Sequence, residues 1–203
     1  MRIGIIGHGT LGGALAHGLA QRPEITSIET TTKRTRSRNA DVARDSDVVL
    51  LCVKPKDLEE ATRSIAPVLT REHVLVSTAA SVGAAHVRDW SLRRPRVVRA
   101  MPNTPARAGA AMTVIARDAE SCGDAVDVTR RLFALVGRAL VMEEGAMDAV
   151  TAISGCGPAF AFVVMEAMIE ASIALGVPYE RARELVAQTV LGSAALLLAG
   201  DEH

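Results

Sequence analysis

An α/β fold, with a doubly wound parallel sheet and then an all-α unit, is predicted for this 203-residue chain by three observations. A glycine-rich turn lies between an apolar run and a helical stretch within the first twenty residues. Strand and helix patterns then alternate up to about residue 146. After that point no strand pattern remains, and two long apolar helical stretches follow. The expected division is residues 1–146 for the sheet domain and 147–203 for the helical one.

The first twenty residues carry the most information. Arg2-Ile3-Gly4-Ile5-Ile6 reads as a buried strand, Gly7-His8-Gly9-Thr10-Leu11-Gly12 as a turn, and residues 13–20 as a helix. This is G-x-G-x-x-G in the strand–turn–helix context that gives the pattern meaning. Gly7 allows the tight turn. Gly9 lets a pyrophosphate approach the backbone, and Gly12 lets helix and strand pack closely. The helix N-terminus offers free N–H groups and partial positive charge to phosphates. A bare glycine turn without a ligand is the bland alternative. The flanking strand and helix favour a Rossmann-like dinucleotide site.

Composition narrows the class. Nearly half the residues are apolar and 2% are aromatic, so the core must be built from aliphatic side chains and Met. Basic and acidic residues number 23 each. That balance argues against nucleic acid or an anionic membrane as partner. Cys52, Cys122 and Cys156 are odd in number and widely spaced. They give neither a zinc pattern nor a disulfide framework, and no metal site is expected. They suit a reducing compartment. The chain opens on a strand, not a signal sequence, and the apolar residues 159–175 are interrupted by Glu166 and Glu170. A soluble cytoplasmic protein is therefore expected.

The remaining elements follow in order. Residues 25–32, rich in Thr and Ile, form the second strand. After it, where NAD-binding folds place an Asp or Glu, stands Thr32-Lys33-Arg34-Thr35-Arg36-Ser37-Arg38. Cations and hydroxyls there suit a 2′-phosphate, so NADP is favoured over NAD. Glu29 is the alternative ribose ligand if the strand register differs. Residues 35–45 leave little room for a crossover helix, so that connection is abbreviated. Residues 47–53 are a buried strand, ended by Pro55. Asp57 is the expected cap of a helix at 58–69. Strands are expected at 74–77, 97–100, 113–116 and 139–142, with a helix at 126–135. The loops where the parallel strands run out form the expected binding edge.

Ser154-Gly155-Cys156-Gly157-Pro158 then opens a helix at 159–175, and a second runs from 179 to 199. The first is apolar on nearly every face, so it must be buried all round. Two such helices cannot bury each other, and a dimer through this unit is expected. The same glycine loop can offer N–H groups to a carboxylate. Glu166 and Glu170 stand one turn apart, where one could face a cationic substrate or simply lie on a solvated helix face.

Five stretches together resemble the pyrroline-5-carboxylate reductase family. They are the Gly7–Gly12 turn, Val53-Lys54-Pro55-Lys56, Arg99-Ala100-Met101-Pro102-Asn103-Thr104-Pro105-Ala106, the residues from Asp148 to Phe160, and those from Arg183 to Gly192. The resemblance implies hydride transfer from NADPH, with NADH as the alternative cofactor, to the cyclic imine pyrroline-5-carboxylate, giving L-proline. It implies a homodimer, with higher oligomers open. Gly7, His8, Gly9, Thr10, Leu11 and Gly12 would line the pyrophosphate. Thr32, Lys33 and Arg34 would read the adenosine phosphate. Val53, Lys54 and Pro55 would pass beside the adenine or ribose, and Ala79 and Ala80 beside the nicotinamide ribose. Asn103 and Thr104 would sit under the nicotinamide. Glu166, Ser154 and Cys156 take the catalytic positions, and Gly155, Gly157 and Pro158 the substrate. Cys156 replaces a serine common in the family.

The crossover after the second strand is shorter than the family's. The chain also stops at Gly200-Asp201-Glu202-His203, where the family continues with a Ser-Pro-Gly-Gly-Thr-Thr segment. The helical unit is thus expected to be truncated relative to the family, as a fragment or a shortened relative. Two other readings stand beside the reductase. One is a catalytically silent NADP-binding relative with a regulatory role. The other is a different imine or ketone reductase on this scaffold, disfavoured because the helix at 159–175 has no Lys.

Overall fold

The structure, a computed structural model, describes residues 1–200. The expected early stop at residues 201–203 lies outside the described residues. In chain order the elements are β1 (Arg2–Ile6), α1 (Thr10–Leu19), β2 (Ser27–Thr31), a 3-10 turn (Arg36–Arg38), α2 (Asn39–Arg44), β3 (Val48–Leu51), α3 (Pro55–Ile65) and β4 (Val74–Ser77). Then come α4 (Ala84–Trp90), β5 (Arg96–Met101), a 3-10 turn (Thr104–Ala108), β6 (Ala111–Arg117), α5 (Gly123–Ala134) and β7 (Gly137–Glu143). The chain continues through α6 (Met147–Val150), α7 (Gly157–Ala174) and α8 (Tyr179–Ala199).

The strands form one seven-stranded sheet in the order β2-β1-β3-β4-β5-β6-β7. The first five are parallel, as the sequence predicts. β6 is antiparallel to β5, and β7 is parallel to β6. The sheet is therefore mostly parallel, and the last two strands correct the all-parallel expectation. The reason is the connection. Residues 102–110 hold only a 3-10 turn, too short to cross back over the sheet, so the chain must return antiparallel.

Alternating strand residues feed two core layers. Ile3, Ile5, Val48, Leu50 and Val76 pack with Leu15, Leu19 and Phe133 on the face of α1 and α5. Ile6, Val49, Leu51 and Leu75 pack with Leu58, Ile65 and Val87 on the face of α2, α3 and α4. β3 is buried on both faces, which its unbroken apolar run anticipates.

Three local readings change. The abbreviated crossover is a 3-10 turn and the six-residue α2. Asp57 does not cap α3. The helix starts at Pro55 with Lys54 as N-cap, because proline needs no N–H at the first helical position. α4, only seven residues long, has no counterpart in the sequence reading.

The chain divides into two compact units, Met1–Cys156 and Gly157–His203. Residues 147–156, assigned to the helical unit by sequence, pack with the first. Met147 and Val150 are buried against Met101, Val114 and Ala116. In the second unit α7 has no buried residue, and α8 buries only Ala182 and Val186. Phe160, Phe162, Val163, Val164 and Leu175 are exposed. By length and composition alone, two helical segments of the chain could cross a membrane.

An ion pair between buried Arg88 and half-buried Asp118 braces α4 to the turn after β6. Arg88 Nη2 donates to both carboxylate oxygens of Asp118, at 2.8 and 2.7 Å. Burial by itself would raise the Asp118 pKa. Bonds from Arg88, the Ser121 hydroxyl and the Glu120 N–H outweigh it and hold the carboxyl below its ordinary range. A carboxylate with a lowered folded pKa stabilises fully above its unfolded pKa, about 4, and loses that contribution as pH falls through the folded value. Asp118→Asn is expected to cost about 2 kcal/mol at neutral pH, because it removes the nearer of the two carboxylates that face Arg88 and leaves Glu120 at 4.0 Å. In urea titrations at falling pH the gap between variant and parent should narrow below about pH 4.

Candidate active site

The strand order reverses between β1 and β3, and the crevice at their carboxyl ends is the place where such sheets bind ligands. The Gly7–Gly12 turn lies on one side. Gly7 has φ +104°, and its N–H and that of His8 both donate to Thr31 O, at 3.1 and 2.8 Å. The turn is thus tied to the end of β2. A Cβ on Gly12 would overlap the Gly7 carbonyl oxygen, so helix and turn touch backbone to backbone. Gly9 differs: a Cβ there would meet no protein atom within 4 Å. Packing does not explain that glycine. The space above it is open to a ligand.

α1 begins at Thr10, with Gly9 as N-cap and no side chain capping it. The first intrahelical bond is from Gly13 N–H to Gly9 O, at 2.8 Å. The N–H groups of Thr10, Leu11 and Gly12 therefore have no acceptor in the helix. His8, Gly9 and Thr10 are exposed. An open glycine cradle beside an uncapped helix end fits a pyrophosphate.

Thr32, Lys33 and Arg34 stand where β2 runs out, as expected. Thr32 N–H donates to Thr35 Oγ1 at 2.9 Å, and Arg34 N–H to Thr32 Oγ1 at 3.2 Å, which folds the loop on itself. Three of the four cations are paired: Lys33 with Asp57, Arg36 with Glu60 and Arg38 with Glu29, at 3.1, 2.7 and 3.3 Å. Arg34 is exposed and has no ion-pair partner among the described residues. Glu29 sits opposite Gly4, two residues short of the strand end, and is bound to Arg38. It is not at the edge, so the carboxylate reading for a ribose loses its basis.

After β3, Val53 lies against Gly7: a Cβ on that glycine would be 2.9 Å from Val53 Cγ1. Lys54 and Pro55 are exposed at the start of α3. Burial pushes the Cys52 thiol up to about 12, against a weaker opposing bond with Thr78, so it is an inert packing group. After β4, Ala79 is buried and Ala80 half-buried.

Asn103 makes two hydrogen bonds of its own. Its Nδ2 donates to Ser154 O at 3.1 Å, and its Oδ1 accepts the Met112 N–H at 2.9 Å. The side chain is a strut joining the end of β5 to β6 and to the turn at Thr151–Gly155. Thr104 is exposed beside it. The Ser154 hydroxyl is buried with no hydrogen-bond partner. A Cβ on Gly155 would be 3.5 Å from Met101 Sδ. Cys156 is exposed, and its N–H donates to Thr151 O at 3.0 Å.

Gly157, Pro158 and Glu166 belong to the second unit. α7 starts at Gly157, two residues before the expected position, and has no acidic residue in its first turn. Glu166 and Glu170 are exposed on it. Arg99 and Glu144, which sequence reasoning did not single out, are ion-paired at 3.7 Å near the β4–α4 loop. An arginine inside the apolar run Val97-Val98-Arg99-Ala100 was the available signal, since a buried cation demands a partner.

A reversing sheet, an open glycine cradle and an uncapped helix end together define a Rossmann-type nucleotide-binding protein. Comparison with known proteins agrees. Residues 2–81 match the family described as NADP oxidoreductase, coenzyme F420-dependent, and residues 144–203 match pyrroline-5-carboxylate reductase dimerisation. The pyrroline-5-carboxylate reductase of Glycine max is 32% identical over 203 residues, covering 100% of this chain and 73% of the relative. That of Methanosarcina acetivorans is 34% identical, covering 100% of this chain and 81% of the relative. The crystal structure of Plasmodium falciparum pyrroline carboxylate reductase with NADP bound superposes with TM-score 0.87 at 26% identity, covering 100% of this chain and 80% of that one. The chain belongs to the pyrroline-5-carboxylate reductase family. Prephenate dehydrogenase from A. aeolicus, at 15% identity and TM-score 0.60, shares the fold alone.

The two glycines should behave differently when given a methyl group. Gly9→Ala is expected to fold with an unchanged melting temperature and to weaken NADPH binding, followed by fluorescence, at least roughly tenfold by filling the cradle. Gly12→Ala is expected to lower both melting temperature and binding, because its Cβ strikes backbone.

Proposed function

We propose that this chain reduces pyrroline-5-carboxylate to L-proline with NADPH. Family membership over the whole chain is the observation that carries the reading, and the open Gly9 cradle supports it. When bound, NADPH supplies the hydride that adds to the imine carbon. The chain's own work is positioning and electrostatics. The N–H groups of Thr10, Leu11 and Gly12, without an acceptor in the helix, would hold the pyrophosphate. Arg34, exposed and unpaired among the described residues, suits the 2′-phosphate. Asn103 holds the Ser154 turn in place, and a role for Ser154, whose hydroxyl is buried and unpartnered, is proposed on the family resemblance. The roles of Gly157, Pro158, Cys156 and Glu166 are proposed on the family resemblance.

The same reading gives the apolar surface of α7 and α8 an occupant, the helical unit of a second copy. The match of residues 144–203 to a dimerisation family favours this over a bilayer, as do Glu166 and Glu170 on α7. Three free cysteines suit a reducing cytoplasm.

The test is oxidation of NADPH by the purified chain with pyrroline-5-carboxylate, with proline identified as product. Turnover is expected. Binding of NADPH without turnover would favour the silent relative instead. Arg34→Gln is expected to raise the KM for NADPH roughly tenfold, the loss of a charge-assisted bond, and to leave the KM for NADH nearly unchanged.

A further inference from the structure

Glu144 lies on the turn after β7, remote in sequence from the loops of the binding edge. Its Oε1 accepts the Ala84 N–H at 2.7 Å and stands 3.7 Å from Arg99 Nη1. The Arg99 side chain is 6% exposed, and its Nε and Nη2 have no hydrogen-bond partner. Asp148, 3.8 Å from Nη2, is 85% exposed, so Glu144 is the principal counter-charge. Ala84 is the first residue of α4. The N-cap, Gly83, brings no side chain, and the Glu144 carboxylate does the capping from 60 residues away.

That bond closes one end of the segment 78–83, which leaves β4. The other end is already fixed: Thr78 donates both its N–H and its hydroxyl to Leu51 O, at 3.1 and 3.0 Å. Between the two anchors Ser81 takes φ +60°, a left-handed conformation that a serine holds only when its surroundings impose it. We propose that Glu144 is a positioning residue for this segment, and through it for the nicotinamide side of the site. The inference rests on the proposed reduction, in which Ala79 and Ala80 lie beside the nicotinamide ribose. Arg99 holds the carboxylate, the carboxylate holds Ala84, and the strained segment between Thr78 and Ala84 keeps its shape.

Two substitutions separate the bond from the charge. Ala84→Pro deletes the N–H and leaves the Arg99–Glu144 pair intact. Proline is favoured at a first helical position, and Gly83, at φ −70° and ψ 156°, already has the extended form that a residue before proline needs. Glu144→Gln keeps an oxygen for Ala84 and removes the charge facing Arg99. With the full chain, Ala84→Pro is expected to raise the KM for NADPH about fivefold, with kcat and melting temperature little changed. Glu144→Ala should show the same rise together with a lower melting temperature, because Arg99 loses its counter-charge. Glu144→Gln should recover most of the KM while the melting temperature stays low. A wild-type KM in Ala84→Pro, or a KM in Glu144→Gln as high as in Glu144→Ala, overturns the proposal. Should Ala84→Pro fail to fold, the Gln and Ala pair decides. A wild-type chain that neither binds nor oxidises NADPH overturns the parent reading and this one with it. Wild-type turnover with Ala84→Pro unaffected overturns this one alone.

Discussion

Two places where α1 meets another backbone without a Cβ between them set the geometry of the binding edge. At Gly12 the helix rests on the Gly7 carbonyl, and at Gly18 on the Ala106 carbonyl. A methyl group at either position would collide with peptide atoms, so the helix could not keep its height and angle above the sheet. The first contact brings the uncapped N-terminus over the crevice between β1 and β3. The second fixes the turn Thr104–Ala108, and with it the end of β5 where Asn103 stands. One helix therefore sets both the phosphate end of the site and the segment that holds Ser154.

The edge is built mainly by cross-links between loops. Thr31 O gathers the N–H groups of Gly7 and His8. Leu51 O gathers two bonds from Thr78. Asn103 joins β5, β6 and the Ser154 turn, and Glu144 reaches α4. Such loops lie at the surface, and these bonds help to fix their shape. The sheet supplies a rigid floor, and the cross-links hold backbone N–H groups and hydroxyls at fixed places above it. Hydride transfer to an imine needs that kind of positioning more than it needs an acid or a nucleophile.

What could be read from the sequence was what short range determines. The glycine turn, the buried strands and the cationic loop after β2 all declare themselves within a few residues. The direction of β6 and β7 does not, because it depends on how little chain lies between Met101 and Ala111. α4 is too short and too mixed for its periodicity to show. Asp57 looked like a cap because the helix was placed to start after it, whereas Pro55 starts it. The Arg99–Glu144–Ala84 anchor joins residues from three distant stretches, and no local pattern encodes it. For Asn103 the position was legible and its hydrogen-bond partners were not. Its amide is committed to Ser154 and Met112, which only the tertiary structure reveals.

The bare end of α1 and the loop after β2 are the places where an NADP molecule should be held. A crystal structure of this chain grown with NADP⁺ tests that most directly. The pyrophosphate is expected over Gly9, within hydrogen-bond distance of the N–H groups of Thr10 and Leu11, and the 2′-phosphate against Arg34. A dinucleotide bound away from the Gly7–Gly12 turn, or a 2′-phosphate directed away from Arg34, would contradict it.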